Sequence, residues 1–183
     1  MPPPRDPDDP LAGLTRWLAE GRVDAAAAER ARQRWLERQA GEEATLAGVL
    51  LDLGERGRPV TVTTAGGHRV TGSLTVVGAD FCAVRDDRGQ VVVPHRSMAS
   101  VRPAPGDPPA DGERPGGLEL VLAEALAELA IDRPLVAVAT GADEHRGTLR
   151  AVGFDVLTLM LDGPTRGAVH VPIGVVDVLI VTR

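Results

Sequence analysis

Asp86 and Asp87 stand side by side, and Cys82 follows Asp80 by two residues. These are the side chains whose types and spacing come nearest to catalysis. A carboxylate pair can share a proton, and a thiol beside a base can act as a nucleophile. Both groups have plainer readings. The run "DDRG" lies between two β-favouring segments, where aspartate bonds its own backbone and glycine accepts positive φ, so it reads as a turn. Cys82 falls in an expected strand and reads as a small core residue. The chain has no GxSxG, P-loop, HExxH or CxxC pattern, so no nucleophile, base or metal cradle is recognisable. One cysteine and the scattered His68, His95, His145 and His170 lack metal-ligand spacing. The expectation is a protein that is not an enzyme and needs no cofactor or metal. His68 and His145 are expected to face solvent, and His170 to be structural.

Binding chemistry is the other option. Every basic side chain is arginine, and lysine, asparagine and tyrosine are absent, a bias that a high-GC bacterial genome would produce. Residues 1–40 carry seven arginines against seven acids, residues 41–102 again seven against seven, and residues 103–183 six against twelve. The net charge of −6 therefore resides in the last third. Phosphate binders normally present a basic face, because counterion release drives their affinity. Only two Phe and two Trp are present, which is poor material for stacking single-stranded bases. Arg30, Arg34 and Arg38 recur every four residues and could form a phosphate ridge, but alternation with Glu29 and Glu37 reads better as a solvated helix face.

The elements that must position these residues follow from periodicity. Residues 1–10, rich in Pro and Asp, are expected to be disordered. Residues 11–40 read as a helical hairpin, with a turn at Gly21 and a second helix capped by Asp24. A further helix is expected over "EEATLAGVLLDLGERG", where Leu46, Val49, Leu50 and Leu53 share a stripe. Gly41 either separates it from the preceding helix or lies within one long rod. The apolar period then changes to two, which places strands near 59–64, 68–77, 80–85, 89–94 and 97–102. Five short strands joined by tight turns imply a small closed barrel, which leaves few exposed edges. Residues 103–117, "PAPGDPPADGERPGG", read as a linker.

Beyond that linker the pattern recurs. "TGSLTVVGADF" at 71–81 is echoed by "RGTLRAVGFDV" at 146–156. Arg58, Pro59, Gly66, Gly72, Leu74, Val77, Gly78 and Asp80 align with Arg133, Pro134, Gly141, Gly147, Leu149, Val152, Gly153 and Asp155. A three-residue insertion near "LDGPTRG" then brings Val93 and Pro94 onto Val171 and Pro172. A helix-plus-barrel module occupying 41–102 is thus expected to be repeated at 118–183.

A short helix, five strands, G-x-L in the second strand, an aspartate opening the third, and "VVVPHRSMASV" as the fourth and fifth resemble the Sm-like superfamily, in particular its Hfq branch. The resemblance implies tandem Sm-like, or more broadly SH3-like, barrels in an α+β, mainly β chain. In that family, subunits pair the fourth strand of one with the fifth of the next, and RNA bases contact the third strand and the loop after the fourth. Carried over, the candidate nucleic-acid-binding residues are Asp80, Phe81, His95 and Arg96. Pro94 stands where Hfq-type proteins have lysine. In the second module Val156 and Ile173 replace Phe81 and His95, so no stacking ring remains there.

The sequence thus points to a cytoplasmic, non-enzymatic binding or scaffolding protein that self-associates through barrel edge strands, as a pseudo-dimer or a six-barrel ring of three chains. It shows no signal peptide and no apolar run long enough to span a membrane. "VVDVLIVT" at 175–182 is apolar on both faces and needs to be covered or paired. RNA binding by the first module is the alternative function. Arginines gathered around Phe81 and His95 would favour RNA, whereas arginines scattered among Asp52, Glu55, Asp86 and Asp87 would favour a protein-binding adaptor.

Overall fold

The computed structural model describes residues 12–110, 112, 117–162 and 167–182; the expected tail at 1–10 lies outside them. The chain divides into two units, residues 1–42 and 43–183.

The described residues of the first unit form one helix. Helix α1, Ala12–Glu43, runs unbroken through Gly21, which corrects the expected hairpin. A lone glycine costs a helix only about 1 kcal/mol relative to alanine, and the flanking Ala, Glu and Arg residues favour helix strongly. Gly41 also lies inside α1. The described arginines Arg30, Arg34 and Arg38 are exposed, and Arg34 Nε donates to the Arg30 carbonyl at 3.1 Å.

The second unit opens with helix α2, Leu46–Glu55, whose N-cap Thr45 accepts the Gly48 N–H at 3.0 Å. Five strands follow: β1 Val60–Thr64, β2 Arg69–Val77, β3 Phe81–Arg85, β4 Gly89–Pro94 and β5 Met98–Arg102. Helix α3, Leu122–Ile131, opens the second half, followed by β6 Leu135–Thr140, β7 Asp143–Val152, β8 Val156–Leu161, β9 Ala168–Pro172 and β10 Val178–Thr182. A single-turn 3-10 helix joins β4 to β5 at His95–Ser97, and another joins β9 to β10 at Ile173–Val175.

The strands form one antiparallel ten-stranded sheet in the order β5-β1-β2-β3-β4-β10-β6-β7-β8-β9. The chain is mainly β, but the expected pair of closed barrels is not formed. Closure of the first half would need β4 to pair with β5, and β10 takes that edge instead. Strand β4 pairs with β10 through Val92↔Leu179, Val91↔Ile180, Gln90↔Val181 and Gly89↔Thr182, while β6 holds the other edge of β10. The strand that is apolar on both faces is thereby paired on both sides. Strands β5 and β9 are left as the two ends of the sheet.

Each half has the same internal plan, and the repeated residues explain why. Both second strands carry an irregularity at the same place, between Leu74 and Val76 and between Leu149 and Ala151. The repeated glycine lets adjacent backbones approach: a Cβ on Gly72 would stand 2.1 Å from the Arg85 carbonyl oxygen, and one on Gly147 2.2 Å from that of Met160.

Two apolar clusters fill the unit, and each draws on both halves. The first joins Leu50 and Leu53 of α2 to Val60, Val62, Val84 and Val93, and takes in Ala139 and Val178 from the second half. The second surrounds Leu122 and Leu126 of α3 with Leu149, Leu157 and Leu159, and takes in Phe81 and Val92 from the first. Fully burying one such Leu or Val contributes about 1.5–3 kcal/mol, so separating the halves would expose side chains from both clusters.

The expected linker is tied down where it is described. Arg56 donates to the carbonyls of Pro108 and Pro109 at 2.6 and 2.9 Å, Arg58 pairs with Asp107 at 2.8 Å, and Thr45 N–H donates to the Gly112 carbonyl at 3.2 Å.

Candidate functional site

Asp80, Phe81, His95 and Arg96 come together, in the corner where β3 begins and β4 ends. Phe81 lies opposite Pro94 in the β3–β4 ladder, and the His95 N–H donates to the Asp80 carbonyl at 2.8 Å. The corner meets the second half of the chain, although Ala79, Asp80 and Arg96 themselves are exposed. Asp80 Oδ1 accepts the Leu122 N–H at 2.7 Å, and the Ala79 N–H donates to the Leu120 carbonyl at 2.9 Å. The N-cap of α3 is Val121, which has no side-chain acceptor, so Asp80 satisfies a free amide of the first turn.

Phe81 is 3% exposed and packs in the cluster around α3. The expected stacking role would need this ring to leave the core and present a face to a nucleobase. Arg96 is also committed, because its Nε donates to the Gly174 carbonyl at 2.9 Å and its Nη2 to that of Ile173. His95 is half-buried, and its buried Nε2 has no hydrogen-bond partner among the described residues. Desolvation lowers its pKa, opposed by the charge of Asp80 and by the carbonyls of Phe81 and Ala79.

Sequence reasoning missed Ser97 and Asp177. Ser97 Oγ lies 2.9 Å from the Pro94 carbonyl and 2.8 Å from that of Asp177, within hydrogen-bond reach of both. Asp177 Oδ2 accepts the Gly141 N–H at 2.8 Å, and its own N–H donates to Ala139. The signal was available: Asp177 is the one charged residue in "VVDVLIV", and an acid in such a run needs a partner. Together with the β4–β10 ladder, the Ser97–Asp177 contact forms a joint between the halves, and the bonds of Asp177 to Gly141 and Ala139 anchor it within the second.

The other predicted positions lie apart. Asp86 accepts the N–H groups of Arg88 and Gly89 at 2.8 and 3.0 Å, the turn chemistry expected of it. Cys82 is fully buried, and burial pushes its thiol up to about 12, so it is not a poised nucleophile. His68 is half-buried rather than solvent-facing, and its Nε2 has no partner among the described residues. His145 is half-buried, while His170 is exposed with its Nδ1 3.0 Å from Thr158 Oγ1. Among the described residues no three His, Cys, Asp or Glu side chains group as metal ligands, and no helix is long and apolar enough to cross a membrane.

No family model, curated protein or solved structure matches this chain.

The arginines of the first half do not ring Phe81 and His95. Arg56 pairs with Asp52 at 2.6 Å, Arg58 with Asp107 at 2.8 Å and Arg88 with Asp86 at 3.8 Å. The corner therefore helps hold the two five-stranded halves of the sheet together by a strand ladder, a borrowed helix cap and an arginine–serine clamp.

Proposed function

We propose that this chain is a non-enzymatic scaffolding protein of Sm-like plan that associates with further copies of itself through the two end strands of its sheet. One observation carries the reading. The first half offers its fourth strand, β4, to the fifth strand of the second half, β10, while the second half's fourth strand, β9, and the first half's fifth, β5, stand at the ends. The same joint can therefore recur between chains, head to tail. The strand order, identical in the two halves, supports the Sm-like resemblance. The pairing of arginines with nearby acids favours protein contacts over phosphate.

The register of the repeated joint follows from the internal one. Val92 is equivalent to His170, and Leu179 to Val101. The internal pair Val92↔Leu179 thus becomes His170 of one chain opposite Val101 of the next. Sedimentation equilibrium of the full chain tests this. The expected result is a mass that rises with concentration, is reduced to one chain by His170→Glu, and is recovered when Val101→Arg is added to supply a cross-strand partner. A wild-type chain that stays monomeric into the hundred-micromolar range would end this reading.

A further inference from the structure

The two corners of the repeat are occupied differently. At the internal joint, Ala79, Asp80 and Ser97 meet the second half: Ala79 N–H bonds Leu120, Asp80 bonds the first turn of α3, and Ser97 is buried against Asp177. Their counterparts in the second half are Phe154, Asp155 and Val175. Phe154 is 97% exposed and Val175 55%, where Ser97 is buried; Asp155 is exposed, as Ala79 and Asp80 themselves are, but has no second half against it. The corner itself is built in the same way, since Gly153 N–H bonds the Val156 carbonyl at 2.7 Å and Ile173 N–H bonds the Asp155 carbonyl at 2.7 Å, matching Gly78 with Phe81 and His95 with Asp80. The backbone is thus pre-set for the same contact, and the side chains that would make it face solvent.

We propose that Phe154, Asp155 and Val175 form a docking surface for the first half of a second copy, in which Asp155 caps helix α2 as Asp80 caps α3. This inference rests on the strand-edge reading above and deepens it by naming a contact outside the ladder. The start of helix α2 offers the receiving surface. Leu46, the counterpart of Leu122 at the start of α2, is 41% exposed, whereas Leu122 is 1% exposed beneath the internal joint. Thr45 Oγ1 already takes the Gly48 N–H, so the carboxylate is assigned the position that Leu122 N–H fills in α3, namely Leu46 N–H. A carboxylate at a helix N-terminus is also favoured by the helix dipole. Continuity with the internal joint is what commits the occupant to a second copy: the same strands, corner and helix start recur in the same order.

The substitutions change how the joint is held. The donors Arg96 and Ser97 correspond to Gly174 and Val175, so a joint between chains has no arginine–serine clamp on this side. Burial of Phe154 and Val175 replaces it, an apolar contact that salt weakens little.

Sedimentation equilibrium of the full chain at low and high salt, with Phe154→Ala and Asp155→Ala each compared with wild type, decides the matter. Truncating an apolar anchor is expected to weaken association roughly tenfold or more, and removing the cap about two- to thirtyfold. Urea midpoints of the two variants, measured at concentrations where the chain is monomeric, should match wild type because both residues are exposed. If wild type associates, His170→Glu abolishes it, and neither corner variant alters it, the docking surface is wrong while the strand-edge reading stands. A wild type that never associates overturns both.

Discussion

The carboxylate of Asp80 accepts the backbone N–H of Leu122, 42 residues further along the chain, at 2.7 Å. A residue of the first half thereby completes a helix of the second, whose own N-cap, Val121, has no side-chain acceptor. Asp80→Ala should therefore lower the unfolding free energy by about 1 kcal/mol, within the usual 0.5–2 for lost caps. Urea denaturation at neutral pH reads this directly. Asp80→Asn, which keeps an acceptor oxygen, should lose less; equal losses would mean that the carboxylate acts through its charge alone.

Phe81 distinguishes a structural corner from a ligand site. Its ring lies among Leu122 and Leu126 at 3% exposure, so Phe81→Ala should cost about 3–5 kcal/mol through lost transfer energy and the cavity left behind. A surface stacking platform would lose almost no stability on truncation. A urea midpoint close to wild type would place the ring at the surface and reopen the nucleic-acid reading.

The elements were legible to within a few residues because both strand and helix leave a period. The expected strands at 59–64, 68–77, 80–85, 89–94 and 97–102 match Val60–Thr64, Arg69–Val77, Phe81–Arg85, Gly89–Pro94 and Met98–Arg102. Closure was not legible, because whether β4 turns to β5 or accepts β10 depends on which apolar strand reaches it, and that is a property of two segments almost ninety residues apart. The repeated Asp80 and Asp155 could be read as a pattern but not as a joint, since a helix cap supplied by a distant residue has no local spacing. Gly21 misled for a related reason: a glycine that often marks a turn is tolerated where its neighbours favour helix.

Cys82 supplies a probe of the first half's interior. Burial raises its thiol to about 12, against about 8.5 for an exposed cysteine. The native protein should react with a thiol reagent only through unfolding, and one thiol per chain should appear in denaturant. The unfolded chain loses this proton first, so stability should be intact below about pH 8.5 and should fall between there and about 12. Fast stoichiometric labelling of the native chain at neutral pH would show that β3 opens far more readily than its burial allows.

His95 gives the opposite slope on the acid side. Desolvation depresses its pKa in the folded state, so the folded chain holds its proton less readily than the unfolded chain. Stability from this group is therefore present above the ordinary histidine value of about 6.5 and is lost as pH falls below it through the folded value. His95→Gln should flatten that segment of the stability profile. An unchanged slope would assign it to another group.

Gly78 and Gly153 occupy the same turn of the repeat, yet they predict different outcomes. A Cβ on Gly78 would lie 2.3 Å from Phe81 Cε1 and 2.7 Å from the Leu120 carbonyl, whereas one on Gly153 would approach Val156 Cγ1 no closer than 3.3 Å. Two things make the difference: the Phe81 ring, whose counterpart is the smaller Val156, and the Leu120 carbonyl of the second half, which closes over Gly78 and has no counterpart over Gly153. Gly78→Ala should cost about 1–3 kcal/mol, as over-packed positions do, and Gly153→Ala should leave the urea midpoint of the isolated chain within about 0.5 kcal/mol. If a second copy covers the Phe154 corner as the internal joint covers Ala79, the methyl group on residue 153 meets that copy's Ala44 region and weakens association without touching stability. Equal destabilisation by the two alanines would mean that the crowding belongs to the turn itself, and the equivalence of the two corners would lose its main support.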